Sequence, residues 1–271
     1  MSNALVVIRG GGDLATGAAA RLHRAGFLVV VLEIERPLAV RRRVALAEAV
    51  YEGRARIEEI EGVRATDVQE VSSIQAGGAI PVLVDAEAKT LDVLGPKVIV
   101  DGRMRKAASD LPREAAPLTI GLGPGFTAGV DCHAVVETRR GHRLGRVLWK
   151  GMAAPDTRVP EAVEGYDVDR VLRAPKPGVM SGLAEIGAVV RQGEAVFAID
   201  GQVVAAPFDG ALRGLLHDGL RVEPGMKVGD LDPRGDPSYC LEISDKALAI
   251  GGGVLEAVLS RSELRHALAD G

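Results

Sequence analysis

Two glycine-rich loops and an adjacent cysteine and histidine supply residue types that could bind or transform a small molecule. Residues 10–12 form the first loop, and Gly123 and Gly125 belong to the second. Glycine lets the backbone turn tightly and come close to a phosphate group. Cys132 and His133 follow the second loop and are candidates for a nucleophile and a general base. The chemistry indicated is phosphate binding, with catalysis left open.

The first loop has the flanking pattern of a nucleotide-binding unit. An apolar run at 5–9 leads into it, residues 18–25 have helical composition, and a second apolar run at 27–32 ends on an acid. In such a unit, the free N–H groups at the start of the helix attract a phosphate. An acid about 20 residues after the first glycine lies where ribose hydroxyls are bound. The predicted nucleotide contacts are therefore Gly10, Gly11, Gly12, Asp13 and Glu33.

The glycine spacing leaves a second interpretation open. Dinucleotide-binding loops follow the pattern GxGxxG, which would place the third glycine at Ala15, whereas this chain has Gly17. Asp13 would repel a phosphate if it pointed inward, although as a helix cap it would bond its own helix. The alternative is a glycine turn in an α/β fold that binds nothing.

Arginines that follow predicted strands are candidates for phosphate contacts. Arg42 and Arg43 come after the second apolar run, and Arg103 comes after the run that ends at Asp101. Guanidinium groups bind phosphate through paired N–H groups. For Arg42 and Arg43, the alternative is the solvent-exposed first turn of a helix over 40–51.

The segment 130–138 alternates as a strand and contains both Cys132 and His133. A period of two places His133 on one face with Asp131 and Glu137, and Cys132 on the other face. A histidine between two carboxylates is a candidate base, and a structural histidine or half of a metal site are the alternatives. Adjacent side chains on a regular strand point apart and cannot chelate one ion. No metal site is therefore predicted.

These loops indicate an α/β fold with a Rossmann-like parallel sheet in residues 1–172. Apolar runs such as 97–101 are typical of parallel strands that are buried on both faces. Residues 173–234 have the short strands and glycine turns of a biotinyl/lipoyl-like barrel, but 194–209 contain no lysine to carry a cofactor. Residues 235–271 are predicted as a helical segment that returns to the sheet, because glycines within a helix indicate close packing.

Composition excludes several classes of protein. The net charge is −4, with 33 basic and 37 acidic residues, so the basic excess of nucleic-acid binders is missing. Two cysteines rule out a disulfide scaffold and fit a reducing cytoplasm, which is the expected location. No apolar run reaches the roughly 18 residues of a transmembrane helix, and no signal peptide is recognised, so no membrane contact is expected. Formation of a homo-oligomer is left open.

Longer motifs are distributed along the whole chain. They lie at 10–15, 42–43 with 49–53, 103–104, 122–129, 140–147, 229–234 and 243–246. Together they resemble the selenium-dependent molybdenum hydroxylase system protein family. The resemblance implies an accessory or maturation protein, with a molybdenum hydroxylase as its partner. By analogy with xanthine dehydrogenase accessory proteins, which also have a Rossmann-like domain, it implies handling of the molybdopterin cofactor.

The resulting hypothesis is a maturation factor that binds or processes a phosphate-bearing cofactor between the two glycine loops. The cofactor would be a molybdopterin dinucleotide or another dinucleotide. The arginines would neutralise phosphates, Glu33 would bind a ribose, and Cys132 or His133 would act on the cofactor. The alternatives are an NAD(P)-dependent oxidoreductase, favoured by the first loop and Glu33, and a non-catalytic scaffold whose β module docks the hydroxylase.

Overall fold

The computed structural model describes residues 4–156 and 168–269, which divide into two compact units. Within the described residues, the first unit contains 4–37, 46–156 and 243–269. The second unit contains 38–45 and 168–242. The chain therefore leaves the first unit twice and returns to it each time.

The strands of the first unit follow the alternation of apolar runs and turns in the sequence. They are β1 (Leu5–Arg9), β2 (Leu28–Glu33), β3 (Arg54–Ile57), β4 (Ile60–Ala65), β5 (Ile80–Val84), β6 (Val98–Asp101), β7 (Leu118–Leu122), β8 (Thr127–Ala128), β9 (Ala134–Val136), β10 (Val147–Leu148) and β11 (Gly151–Met152). A nine-stranded sheet has the order β10-β9-β7-β6-β1-β2-β5-β4-β3, and β8 and β11 pair separately. The strands from β9 to β4 in that order run parallel. The predicted Rossmann-like α/β sheet is confirmed.

The strand order reverses between β1 and β6. From β1 the chain first builds outward through β2, and it later returns to place β6 on the other side of β1. The last residue pair of this contact is Arg9 with Asp101. In open parallel sheets, ligands bind outside the carboxyl ends of the strands at such a reversal. This edge of the sheet is therefore the place to look for a site.

The six α-helices of the described residues all lie in the first unit. They are α1 (Asp13–Arg24), α2 (Ala49–Glu52), α3 (Val71–Ala76), α4 (Leu91–Leu94), α5 (Asp245–Leu259) and α6 (Ser262–Ala269). Gly251 and Gly253 of α5 pack closely, as predicted for glycines within this helix: a Cβ on Gly251 would lie 2.4 Å from the carbonyl oxygen of Gly17 in α1. A Cβ on Gly253 would lie 2.1 Å from the carbonyl oxygen of Gly145. The predicted return of the C-terminal helix to the sheet is confirmed, because α5 contacts α1 and also β7, β9 and β10.

Two predicted elements are wrong in extent. The helix expected over 40–51 is broken into two 3₁₀ turns, Arg42–Val44 and Leu46–Glu48, followed by the short α2. At the break, the backbone donors bond neighbouring segments and not a helix of their own, because the N–H of Leu46 donates to Thr16 Oγ1 at 2.9 Å and the N–H of Ala47 donates to the carbonyl oxygen of Gly11 at 2.9 Å. The strand expected over 130–138 is reduced to β9.

The second unit is rich in antiparallel strands, as predicted for its β module. They are β12 (Val171–Arg173), β13 (Gly178–Gly182), β14 (Val189–Val190), β15 (Ala195–Ile199), β16 (Gln202–Ala205), β17 (Gly210–Leu215), β18 (Arg221–Val222) and β19 (Lys227–Asp232). Two four-stranded sheets have the orders β12-β19-β17-β14 and β16-β15-β13-β18. Asp200 and Gly201 form the hairpin turn between β15 and β16, and both have positive φ, which is typical of a tight two-residue turn.

Among the helices of the described ranges, none combines the length and the apolar composition that a membrane crossing requires.

Candidate functional site

The three glycines of the first loop have different surroundings. Gly10 has a φ of +89°, and a Cβ there would lie 3.1 Å from Arg103. A Cβ on Gly11 would lie 2.7 Å from the backbone nitrogen of Ala47. A Cβ on Gly12 would meet no heavy atom of the described chain within 4 Å. Close packing therefore accounts for Gly10 and Gly11, whereas Gly12 borders open space.

Gly12 is also the residue that caps α1. Its backbone is extended, and no side chain bonds the start of the helix at this position. The first N–H groups of an α-helix have no partner within the helix, and the helix dipole makes them attractive to anions. Asp13 lies in the first turn of α1 and not at the cap, so the capping role considered for it is wrong, although an acid at this position still favours the helix dipole. An open glycine in front of a twelve-residue helix can accommodate a phosphate.

Glu33, at the end of β2, holds the first loop. Its two carboxylate oxygens accept hydrogen bonds from the N–H of Gly11 at 2.7 Å and the N–H of Ile34 at 2.8 Å. Burial raises the pKa of Glu33, and these two N–H groups together with Arg103 oppose that rise. A carboxylate oxygen can accept more than one hydrogen bond, so the contact with a ribose stays a prediction.

A group of arginines and aspartates, here called the Arg9 cluster, lies at the carboxyl ends of β1 and β6. Its members are Arg9, Asp101, Arg103, Arg105 and Asp110. Arg103 donates from Nε and Nη2 to the Asp101 carboxylate at 3.0 and 2.5 Å. Arg9 is buried, and its Nη1 lies 3.7 Å from Asp101. Of these residues, only Arg103 was predicted as a phosphate contact. Arg9 could have been found from the sequence, because it ends a strand that is otherwise apolar.

The second glycine loop packs against the segment 102–107. A Cβ on Gly123 would lie 3.3 Å from Met104 Cε, and a Cβ on Gly125 would lie 2.4 Å from the backbone nitrogen of Ala107. Both glycines have positive φ. The same segment also contacts the first loop, so the structure brings both glycine loops to one stretch of chain.

Cys132 is buried beside the Arg9 cluster. It lines a cavity of about 20 Å³ together with Arg9, Asp101 and Phe126, which is enough room for about one water molecule. Burial, assisted by the neighbouring Asp131 carboxylate, raises the pKa of the Cys132 thiol to about 12. The thiolate is the nucleophilic form of cysteine, and with this raised pKa the thiol stays protonated at neutral pH.

His133 belongs to a structural hydrogen-bond pair with Thr119. Its Nδ1 accepts from the backbone N–H of Thr119 at 3.1 Å and lies 2.9 Å from Thr119 Oγ1. Burial lowers the pKa of His133, and the charges of Arg113 and Arg261 lower it further. The imidazole is therefore neutral near pH 7, and one ring nitrogen is already occupied.

The carboxylates expected on the face of His133 have separate partners. Asp131 Oδ1 accepts from the backbone N–H of Thr127 at 2.8 Å, which forms a turn. Glu137 is buried and accepts from the backbone N–H groups of Arg139 and Ala154 at 2.8 and 2.7 Å. Turn geometry rather than a regular strand precedes β9, so these three side chains do not form a shared acid–base group.

Arg42 and Arg43 belong to the second unit, whereas the glycine loops belong to the first. Arg42 Nε donates to the carbonyl oxygen of Leu215 at 3.1 Å. The preceding Arg41 donates from Nη2 to the carbonyl oxygen of Tyr239 at 3.0 Å. Arg43 is exposed. The bonds of Arg41 and Arg42 attach residues 38–45 to the rest of the second unit.

The comparisons with known proteins give one clear relative. The chain is 47% identical over 255 residues to "Uncharacterized protein YqeB" of Escherichia coli (strain K12). The match covers 94% of this chain and 47% of the relative, so the chain spans about half the length of that protein. No family model matches the chain, and no solved structure matches it. Over most of this chain, the protein is therefore a homologue of YqeB.

Proposed function

We propose that this protein is an accessory or maturation factor of a molybdenum hydroxylase and that it binds a phosphate-bearing dinucleotide in its first unit. The observation that carries the proposal is the open Gly12 at the start of α1, at the edge where the strand order reverses. The motif resemblance described above favours a molybdopterin dinucleotide over other dinucleotides.

The residues around Gly12 fit the diphosphate of such a ligand. A Cβ on Gly12 would meet no described heavy atom within 4 Å, so the space in front of α1 is open to a ligand, and the start of the helix supplies N–H groups that can bind it. Arg103 lies beside Gly10 and provides a positive charge at the same edge. Glu33 lies at the end of the next strand, where an acid reaches a ribose.

We infer a binding role rather than thiol catalysis. The raised pKa of Cys132 and the lowered pKa of His133 argue against an activated nucleophile with a charged partner. Cys132→Ser is expected to leave dinucleotide affinity unchanged, because the thiol is buried and lines the small cavity beside Arg9 and Phe126 rather than the space in front of α1.

Calorimetric titration of the full chain with pterin and nicotinamide dinucleotides tests the proposal. Gly12→Asp places a negative charge where the phosphate would lie, and we expect it to weaken binding at least tenfold. Gly252→Asp is the matched control, because Gly252 also borders open space but lies within α5. Equal affinities of wild type and Gly12→Asp would show that the phosphate is not bound here.

One observation favours a second candidate, an NAD(P)-dependent oxidoreductase: Glu33 lies at the position used for ribose recognition. Native mass spectrometry with both ligand classes separates the two candidates. Retention of a pterin dinucleotide supports cofactor handling, whereas retention of NAD(P) alone supports the oxidoreductase. If no ligand is retained, a scaffold is favoured, and deletion of residues 175–233 should then abolish recovery of the partner hydroxylase.

A further inference from the structure

The carboxylate of Asp110 lies at the centre of three guanidinium groups. Arg9 Nη1 donates to Oδ1 at 2.5 Å. Arg103 donates from Nη2 and Nη1 to the two oxygens at 2.7 and 2.9 Å. Arg105 Nη1 donates to Oδ2 at 2.5 Å. The two oxygens of one carboxylate thus accept hydrogen bonds from three guanidinium groups, a set of donors that is more typical of a phosphate-binding site than of a single aspartate.

Asp110 is the outer member of this arrangement, and Arg9 is the inner one. The side chain of Asp110 is 41% exposed, whereas that of Arg9 is 3% exposed. Asp110 lies on the irregular stretch 102–112, between β6 and a 3₁₀ turn. In this stretch Met104 and Lys106 adopt positive φ, which is costly for residues other than glycine. A buried cation is therefore covered by an exposed anion on a strained segment.

We propose that Arg9, Arg103 and Arg105 form a phosphate-binding site in which the Asp110 carboxylate is a built-in stand-in for the ligand. A phosphate or diphosphate group binds the three guanidinium groups, and Asp110 moves out with the segment that carries it. The proposal refines the proposed function, on which it rests for the identity of the natural ligand.

The chemistry of the two anions favours this exchange. A carboxylate brings one negative charge and two oxygens, whereas the diphosphate of a dinucleotide brings two charges and four strongly accepting non-bridging oxygens. Three guanidinium groups meet only the carboxylates of Asp101 and Asp110 within the cluster. One positive charge of the cluster is therefore not balanced inside it. Arginine forks match phosphate oxygens through paired hydrogen bonds.

Titration with inorganic pyrophosphate at constant ionic strength tests the exchange. Asp110→Asn keeps the shape of the side chain and removes its charge, and we expect at least a tenfold gain in pyrophosphate affinity over wild type. Asp156→Asn is the matched control. It also replaces a carboxylate that binds this segment, because Lys106 Nζ donates to Asp156 Oδ2 at 2.6 Å, but it leaves the three arginines with Asp110. The control should bind pyrophosphate as wild type does.

Hydrogen–deuterium exchange of wild type provides a second readout that does not depend on how the variant folds. Pyrophosphate should increase exchange in residues 104–112, because Asp110 leaves the arginines. Unchanged or reduced exchange there at saturation, or equal pyrophosphate affinity of Asp110→Asn and wild type, would overturn the inference. The proposed function fails differently, through a dinucleotide affinity that is insensitive to Gly12→Asp.

Discussion

Each unit contains a cluster of arginines and aspartates, and the two clusters differ in whether an aspartate faces the solvent. In the second unit, Asp230 and Asp232 are buried at the end of β19. Arg213 bridges them, with Nη2 at 2.6 Å from Asp230 and Nη1 at 3.3 Å from Asp232. Arg234 adds a bond to Asp232 at 2.6 Å. Both aspartates of that cluster are buried, whereas in the Arg9 cluster Asp101 is buried and Asp110, which binds the buried Arg9, is 41% exposed.

This difference separates a closed ion network from an exchangeable one. A buried carboxylate that is covered by cations attached to the same sheet cannot leave without unfolding its surroundings. A buried guanidinium that is covered by an exposed carboxylate can exchange that carboxylate for another anion. The proposal of a ligand site in the first unit therefore depends on the exposed position of Asp110 rather than on the number of charges.

The largest effect that this comparison predicts is for Asp230→Ala. The side chain of Asp230 is 4% exposed, and its removal leaves Arg213 and Arg170 without their shared partner in the interior. Breaking a buried ion pair costs about 3–5 kcal/mol. We expect a loss of this size in the free energy of unfolding, measured by urea denaturation. A loss below about 1 kcal/mol would mean that the second cluster is not closed.

Asp110→Ala is the matching change in the first unit, and we expect a smaller loss of about 1 kcal/mol. Solvent screens an ion pair whose carboxylate is exposed, so such pairs contribute about 0–1 kcal/mol. Arg9 also retains Asp101 at 3.7 Å. The same denaturation experiment measures the loss. A cost equal to that of Asp230→Ala would make the Arg9 cluster structural and contradict the contrast between the units.

The parts of the molecule that follow from local pattern were predictable from the sequence. Strands buried on both faces need uninterrupted apolar residues, and β1, β2 and β6 have them. The glycines of α5 indicated close packing because a helix tolerates them at a cost of about 1 kcal/mol each. The open start of α1 follows from the same kind of local reasoning.

The Arg9 cluster depends on contacts that local pattern does not reveal. Arg9 and Asp110 are separated by 101 positions, and they meet only because β6 is placed beside β1. Arg42 was predicted near a phosphate because it follows a strand, but its partner is a carbonyl oxygen of the β module. Charged residues are rarely buried without a partner, and Arg9 at the end of an apolar run was the one local sign.

A smaller difference is expected in the dependence of stability on pH. Arg103, followed by Arg9, lowers the pKa of Asp110; for Asp230, burial alone would raise the pKa, but Lys227 and Arg213 lower it. An acid whose pKa is lower in the folded state stabilises the protein above its unfolded pKa of about 3.9 and loses that contribution as the pH falls further. Wild type should therefore lose stability below about pH 4.

Asp110→Asn should lose less stability than wild type over the same acid range, because one of the responsible carboxylates is gone. We expect the difference to stay below about 1 kcal/mol, since solvent screens Asp110. Thermal unfolding at pH 7 and at steps down to pH 2.5 measures it. Parallel curves for the two proteins would show that Asp110 has no net electrostatic contribution.

The smallest effect on stability is expected for Arg105→Ala, which tests an exposed cation of the Arg9 cluster. The side chain of Arg105 is 46% exposed and its bond is to Asp110, which is exposed as well. Such a pair should change the free energy of unfolding by less than about 0.5 kcal/mol.

Arg234 is the matched residue of the closed cluster: it binds the fully buried Asp232 and lies 4.3 Å over the ring of Tyr239. Arg234→Ala should therefore cost about 1–2 kcal/mol. Pyrophosphate affinity should show the reverse order, with Arg105→Ala weakening it and Arg234→Ala leaving it unchanged. Equal responses of the two variants in both measurements would mean that the exposed charge does not distinguish a ligand site from a structural network in this protein.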